Sequence, residues 1–312
     1  MHLPRQPLGQ IVDVSRWRLD ETWPVFPVGS KPKRLLICPS DAEGDFLRPG
    51  HRYLFKEGIG WAAQQVWSEV VAYEFSRLVD APVPPALVAF DSETGTPGVL
   101  VEFFYGYPGE PLDTRLVHAA DIMQGLLEDR KRGRPHGVYD NLVLCRLLKA
   151  EEPVKWWARG LAFDAMIGNR DRHPENWGFL ITERMNEARK VRLAPLYDNG
   201  VSLGYELPEG KMGWAADRVQ TYVAKGVHHC GWSSEQDKPA QHAELCGRFL
   251  EAYPGVKSIM AETTAMSDFD VAEVLDWCRS FAGPLPFTSE RAAFVQLQTR
   301  ARRDALLATI GE

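Results

Sequence analysis

The chain has 312 residues, 45% hydrophobic and 25% charged, enough apolar material for a core and unlike collagen-like or disordered sequences. Five scattered cysteines exclude a disulfide scaffold and fit a reducing, cytoplasmic setting. The net charge of −6, from 36 Lys+Arg against 42 Asp+Glu, argues against nucleic-acid binding through backbone phosphates.

No apolar stretch reaches the roughly 18–20 residues of a membrane helix, and Met1 to Pro7 lack the apolar core of a secretory signal. Residues 35–38 and 53–56 are short β-prone runs separated by turn-rich sequence at 39–45 and by Pro49-Gly50. Over 62–79 apolar residues recur at helical spacing. Val66, Val70 and Tyr73 fall on one side and Trp67, Val71, Phe75 and Leu78 on another, so this predicted helix is buried on more than one face. Pro82, Pro84 and Pro85 end it. Runs 87–90 and 99–104 read as a hairpin joined by turn formers at 91–98. The Tyr-, Gly- and Pro-rich stretch 105–111 is the boundary candidate, dividing an N-terminal lobe, 1–104, from a C-terminal lobe, 105–312. Beyond it, 114–129, 139–149 and 155–167 read as helices and 177–181 with 191–196 as a strand pair. Residues 204–238 read as irregular, and 241–252, 271–282 and 289–310 as helices. The basic run from Arg130 to Arg134 reads as a solvated loop. The expected class is α+β, with a small β-rich lobe and a larger, mainly α-helical one.

The densest chemical signal runs from Ile167 to Trp177 and contains Asn169, Asp171, His173, Glu175 and Asn176. It lies between an apolar helix and an apolar strand, and a loop held at both ends by buried elements positions catalytic groups well. A second acidic loop, Tyr197-Asp198-Asn199-Gly200, follows the next strand, so Asp171, Asn176 and Asp198 converge around a hairpin. Phosphoryl transfer needs this set. One Asp takes the proton of the attacking hydroxyl; an Asn and a second Asp are hard oxygen ligands for Mg²⁺ bridging the phosphates. The phosphates also need a cation. Lys56 ends a strand, and Glu69 on the long helix is placed to pair with it. Upstream, a turn around Gly29 and Ser30, followed by Lys33, is placed to cover the phosphates with backbone N–H groups.

Asp171-x-His173-x-x-Asn176 followed by Leu196-Tyr197-Asp198 resembles the HipA-like family of bacterial serine/threonine protein kinases, and more distantly phosphatidylinositol kinases. Phe55-Lys56 and Ser68-Glu69 resemble the family's strand lysine and helix glutamate. Residues 101–104 resemble its hinge, where backbone groups of Glu102 and Phe104 would hold adenine. The resemblance covers the chain from Val28 onward, the last third in helical character only. It implies a two-lobed protein-kinase-like fold, ATP and Mg²⁺ as cofactors, a protein serine or threonine as acceptor, and an antitoxin as partner. There are two departures. Phe26 occupies the position of the family's autophosphorylated loop serine, with Ser30 nearby and Lys33 kept. Of the N-terminal subdomain of larger members only a short segment remains.

Other features have plainer readings. His173 either contacts phosphate or braces the loop, and Asp164, on the helix feeding that loop, satisfies its backbone donors. His228-His229-Cys230 lacks a second cluster at ligand spacing and reads as a substrate-side loop rather than a metal site. Trp156, Trp157 and Trp177 read as packing, the cysteines as buried thiols, and Arg291, Arg300, Arg302 and Arg303 as a solvated basic face. Two rivals stand beside a protein kinase. A lipid or small-molecule kinase would keep the fold, but no basic amphipathic helix suits a membrane surface. A silent nucleotide-binding scaffold is the other, against which Lys56, Asp171, Asn176 and Asp198 are all intact.

Overall fold

The computed structural model describes residues 3–21, 33–127, 136–233 and 239–311. Gly29, Ser30, Phe26 and the basic run 130–135 lie outside them. Two short strands, β1 (Val12–Asp13) and β2 (Arg18–Leu19), precede the β-prone runs, which form β3 (Lys33–Ile37), β4 (Arg52–Glu57), β5 (Ala86–Asp91) and β6 (Thr96–Glu102). Together they make one sheet in the order β1-β5-β6-β4-β3-β2, in which only β1 and β5 pair in parallel. The register sets Lys33 opposite Lys56 and Lys56 opposite Val99. Side chains alternate between faces: Leu36, Tyr53, Phe55 and Leu100 pack with Phe46, while Val99 and Val101 pack on the other face with the helix that follows β4. At Gly98 a Cβ would meet the Phe55 ring at 2.4 Å and the Lys56 carbonyl oxygen at 2.7 Å, so the strand beside Lys56 requires glycine there.

That helix, α1 (Gln65–Leu78), is buried on nearly every face. One side covers the sheet. From the other, the Trp67 indole N–H donates to the Leu285 carbonyl at 3.0 Å, and its ring meets Phe281 and Phe287. The core therefore runs unbroken from the sheet through α1 into the C-terminal helices.

Residues 114–129 do not form one helix. Thr114, Leu116 and His118 share one face of β7 (Thr114–His118) and Arg115 and Val117 the other, and only then does α2 (Ala119–Leu127) begin. β7 pairs antiparallel with β8 (Gly178–Thr182), which pairs with β9 (Lys190–Leu193) in a second, three-stranded sheet. The strand exists because β8 offers it a partner, information absent from its own sequence. Helices α3 (Val138–Leu147) and α4 (Pro153–Ile167) fall where helical spacing placed them, as do α6 (His242–Ala252), α8 (Asp268–Arg279) and α9 (Ser289–Ile310). Two more, α5 (Ala216–Ala224) and α7 (Lys257–Thr264), were not expected. α5 buries only Val219, which leaves little periodic signal to read. The last helix is not a solvated basic face: Arg291 is 2% exposed and Arg302 5%. All five cysteines are buried thiols. Among the described residues no helix is long and apolar enough to cross a membrane.

Candidate active site

β4 and α1 deliver Lys56 and Glu69 to one point. Lys56 Nζ donates to Glu69 Oε1 at 2.5 Å and to Asp198 Oδ1 at 2.9 Å. The other Glu69 oxygen accepts the Asn199 backbone N–H at 3.0 Å, so a single buried carboxylate fixes both the lysine and the loop carrying Asp198. Burial alone would lower the Lys56 pKa, but Asp198 and Glu69 outweigh it and keep the ammonium charged. Half of the Asp198 side chain is open to solvent, but the crowding around its carboxyl still opposes ionisation; Lys56, then Lys33 and His173, outweigh this and hold it well below the usual range. Burial pulls Lys33 down, with Asp198 acting the other way. Asp198 has a left-handed backbone, φ 59°. Such a residue costs roughly 1–2 kcal/mol and persists only where its surroundings over-determine it. Here the Lys56 and Asn199 contacts do so.

The second loop begins where α4 ends on left-handed Gly168, φ 66°. It is braced from within. Asn169 Oδ1 accepts the Asp171 N–H at 3.0 Å, and Asn176 Nδ2 donates to the Asp171 carbonyl at 2.7 Å. The His173 N–H donates to that same carbonyl, and His173 Nδ1 accepts the Glu175 N–H at 3.2 Å. With its other nitrogen 3.8 Å from Asp171 Oδ2, the ring is placed as a brace. Burial raises the Asp171 carboxyl above its ordinary value; His173 pulls it down and the charge on Asp198 pushes it up. A carboxyl displaced toward neutrality suits a group that takes a proton.

Arg172, which sequence alone did not single out, joins the two loops. It is 1% exposed and grips Asp164 through two bonds, Nε to Oδ2 at 3.0 Å and NH2 to Oδ1 at 2.7 Å. It also donates to the Asn176 carbonyl, the Tyr197 carbonyl and Asn199 Oδ1. Asp164 in turn meets Asn169 Nδ2 and His228 Nε2, so it holds side chains rather than the loop's backbone donors. Burial opposes its ionisation, but Arg172 and His228 drive its carboxyl well below the usual range. The signal was an acidic residue on an apolar helix, since a buried carboxylate demands a buried cation.

The His228-Cys230 stretch is split between the interior and the site. His228 and Cys230 are buried against Asp164 and the Arg172 carbonyl, while the ring of His229 lies 5.7 Å from that of His173. No group of three His, Cys, Asp or Glu among the described residues forms a metal cluster.

At the end of β6 the Glu102 N–H donates to the Pro85 carbonyl, and proline has no N–H to return. His51 Nε2 holds the Phe103 carbonyl at 2.6 Å, and the Phe103 N–H donates to Arg52. The Glu102 carboxylate is buried against Tyr107 and Arg48. No hydrogen bond engages the Phe104 backbone among the described residues. Its ring stacks on Tyr197 at 5.5 Å, beneath which His118 Nδ1 meets the Tyr197 hydroxyl at 2.8 Å.

The donor set fits a small divalent cation and a nucleotide. Asn176 uses its amide N–H groups on Asp171, and its Oδ1 accepts no hydrogen bond among the described residues. Asp198 offers an ionised, 50% exposed carboxylate. Two hard oxygens suffice for Mg²⁺ when phosphate and water complete the shell.

The family model for the HipA-like C-terminal domain matches residues 29–266. The chain belongs to the HipA-like family. Its fold is similar to that of the Helicobacter pylori proinflammatory kinase CtkA, with TM-score 0.68 and 16% identity over 97% of this chain and 99% of that one. It is also similar to HipA of Shewanella oneidensis MR-1, solved with HipB and operator DNA, with TM-score 0.59 and 17% identity over 92% of this chain. That match spans 65% of the Shewanella chain. No curated protein sequence matches. The α+β, two-lobed, protein-kinase-like architecture expected of a HipA-like chain is thus present.

Proposed function

We propose that the chain is an ATP- and Mg²⁺-dependent serine/threonine protein kinase of the HipA-like type, acting in the cytoplasm. Residues 1–104 serve as the nucleotide-covering lobe and 105–312 as the catalytic lobe. One observation carries the proposal: Lys56, paired to Glu69, meets Asp198 in front of the braced loop that holds Asp171 and Asn176. Lys56 and Lys33 face the phosphates. The Glu102 carbonyl and the Phe104 backbone hold the base. Asn176 Oδ1 and Asp198 hold Mg²⁺, which supplies neutralisation of phosphate charge. Asp171 orients the acceptor hydroxyl and takes its proton, and His173 keeps Asp171 in place.

The Shewanella HipA structure contains HipB. By that analogy this chain has an antitoxin protein as partner, and its own acidic charge leaves any nucleic-acid contact to that partner. Incubation with ATP and Mg²⁺, followed by intact mass and peptide mapping around Ser30, tests the proposal. The wild type is expected to gain phosphate on itself or on an added protein pool but not on lipid vesicles. Asp171→Ala is expected to lose transfer while keeping its melting temperature. Undiminished transfer by that variant, or label in lipid alone, would overturn the assignment.

A further inference from the structure

The segment after Asp198 has no regular structure until α5, yet it is firmly held. One carboxylate, Glu290 in the first turn of α9, accepts three backbone N–H groups: Gly210 at 2.5 Å, Met212 at 2.9 Å and Gly213 at 3.1 Å. Beside it, Arg291 donates to the Gly204 and Leu207 carbonyls and to Glu209 Oε1, whose partner oxygen accepts the Thr288 hydroxyl. The held segment reaches the catalytic machinery directly. Glu206 pairs with Arg170 at 3.0 Å, immediately before Asp171, and the Tyr205 ring meets Trp61 on the lobe carrying Lys56. The segment is also strained. Leu203 adopts a left-handed backbone, φ 54°, which calls for external restraint.

In many kinases such restraint comes from a phosphate added to this segment, whose oxygens accept several hydrogen bonds and order the loop. Here residues 198–215 contain two hydroxyl side chains, Ser202 and Tyr205. Both are buried, at 2% and 8% exposure, and Ser202 donates to the Asn199 carbonyl. Neither is presented to another kinase.

We propose that Glu290 is a positioning residue that takes the place of an ordering phosphate, so that the segment from 204 to 213 is set for catalysis without activating phosphorylation. The proposal rests on the kinase function above and adds how that site is regulated: its switch does not lie in this segment. The carboxylate supplies the acceptor oxygens and negative charge that a phosphate would bring, from a helix built into the same core.

The test measures initial ADP release from Mg-ATP by wild type, phosphatase-treated wild type, Glu290→Ala and Glu290→Gln, alongside hydrogen exchange at 204–213. Phosphatase treatment is expected to leave the wild-type rate unchanged. Glu290→Ala is expected to lower kcat about tenfold or more, as misplaced catalytic groups do, with KM for ATP changed less than about threefold. Glu290→Gln, which keeps an acceptor oxygen without the charge, should fall between. Added formate should restore part of the Glu290→Ala rate, which repair of mere stability would not do. Faster exchange at 204–213 in Glu290→Ala would support the grip independently of turnover. A Glu290→Ala kcat within about twofold of wild type, a phosphatase-sensitive wild type, or a phosphopeptide within 198–215 would overturn the proposal alone. A wild type that fails to turn over ATP would overturn the kinase function first, and the proposal with it.

Discussion

A histidine that touches no expected ligand sets the shape of the hinge. His51 is 1% exposed, stacks on Tyr107 at 4.4 Å and holds the Phe103 carbonyl. Burial pushes its pKa from 6.5 down to about 4. The unfolded chain therefore binds this proton more readily than the folded one. The stability His51 contributes is full above pH 6.5 and drains away as the pH falls toward about 4. The loss amounts to about 3 kcal/mol. In His51→Gln, which keeps an N–H donor but does not titrate, urea-unfolding free energy should fall less over that window. Parallel curves for the two proteins would contradict this. Lys56, Glu69, Asp171, Asn176 and Asp198 were legible as single residues because each is a charged or amide group beside an apolar element. His51 was not, since its role depends on a carbonyl 52 positions away.

At the scale of elements, the loops carrying Asp171 and Asp198 are both tied to α4. Asp164 projects from that helix, Arg172 from the loop, and Asn199 from the loop beyond β9; all three are at most 1% exposed. Removing one partner of such a pair strands a buried charge, at about 3–5 kcal/mol, whereas removing both does not. Arg172→Met should therefore destabilise strongly in urea unfolding, and the double variant Arg172→Met/Asp164→Leu should recover part of the loss. Equal or additive losses would mean that the pair is not coupled. Elements with their own periodicity, such as α1, α4 and α9, could be read from sequence to within a few positions. β7 could not, because its partner β8 lies across the chain, and α5 could not, because it has one buried residue. Arg302 belongs here too. Its guanidinium lies where a Cβ on Gly168 would stand, 2.5 Å from Cζ, and NH1 approaches the Ala165 carbonyl. Among the described residues Arg302 forms no salt bridge, but the carbonyls at the helix C-terminus favour a cation there and Glu206 attracts it from farther away.

The whole molecule places its charges by sharing one core. α1 packs on the sheet and on the C-terminal helices at once, so the strand lysine, the helix glutamate and the Asp198 loop are brought together by continuous packing. Pairs such as Lys56 with Asp198, 142 positions apart, were anticipated from the chemistry they share and not from any local pattern. The central claim is that this meeting point holds nucleotide phosphates through a divalent cation. Calorimetric titration of ATP, with Mg²⁺ and then with EDTA, into wild type and Asp198→Asn tests it most directly. Mg²⁺ should tighten ATP binding to the wild type about tenfold or more, some 1.4 kcal/mol, and lose most of that effect in the variant. Equal ATP affinity with and without Mg²⁺ in the wild type, or an undiminished Mg²⁺ effect in Asp198→Asn, would contradict it.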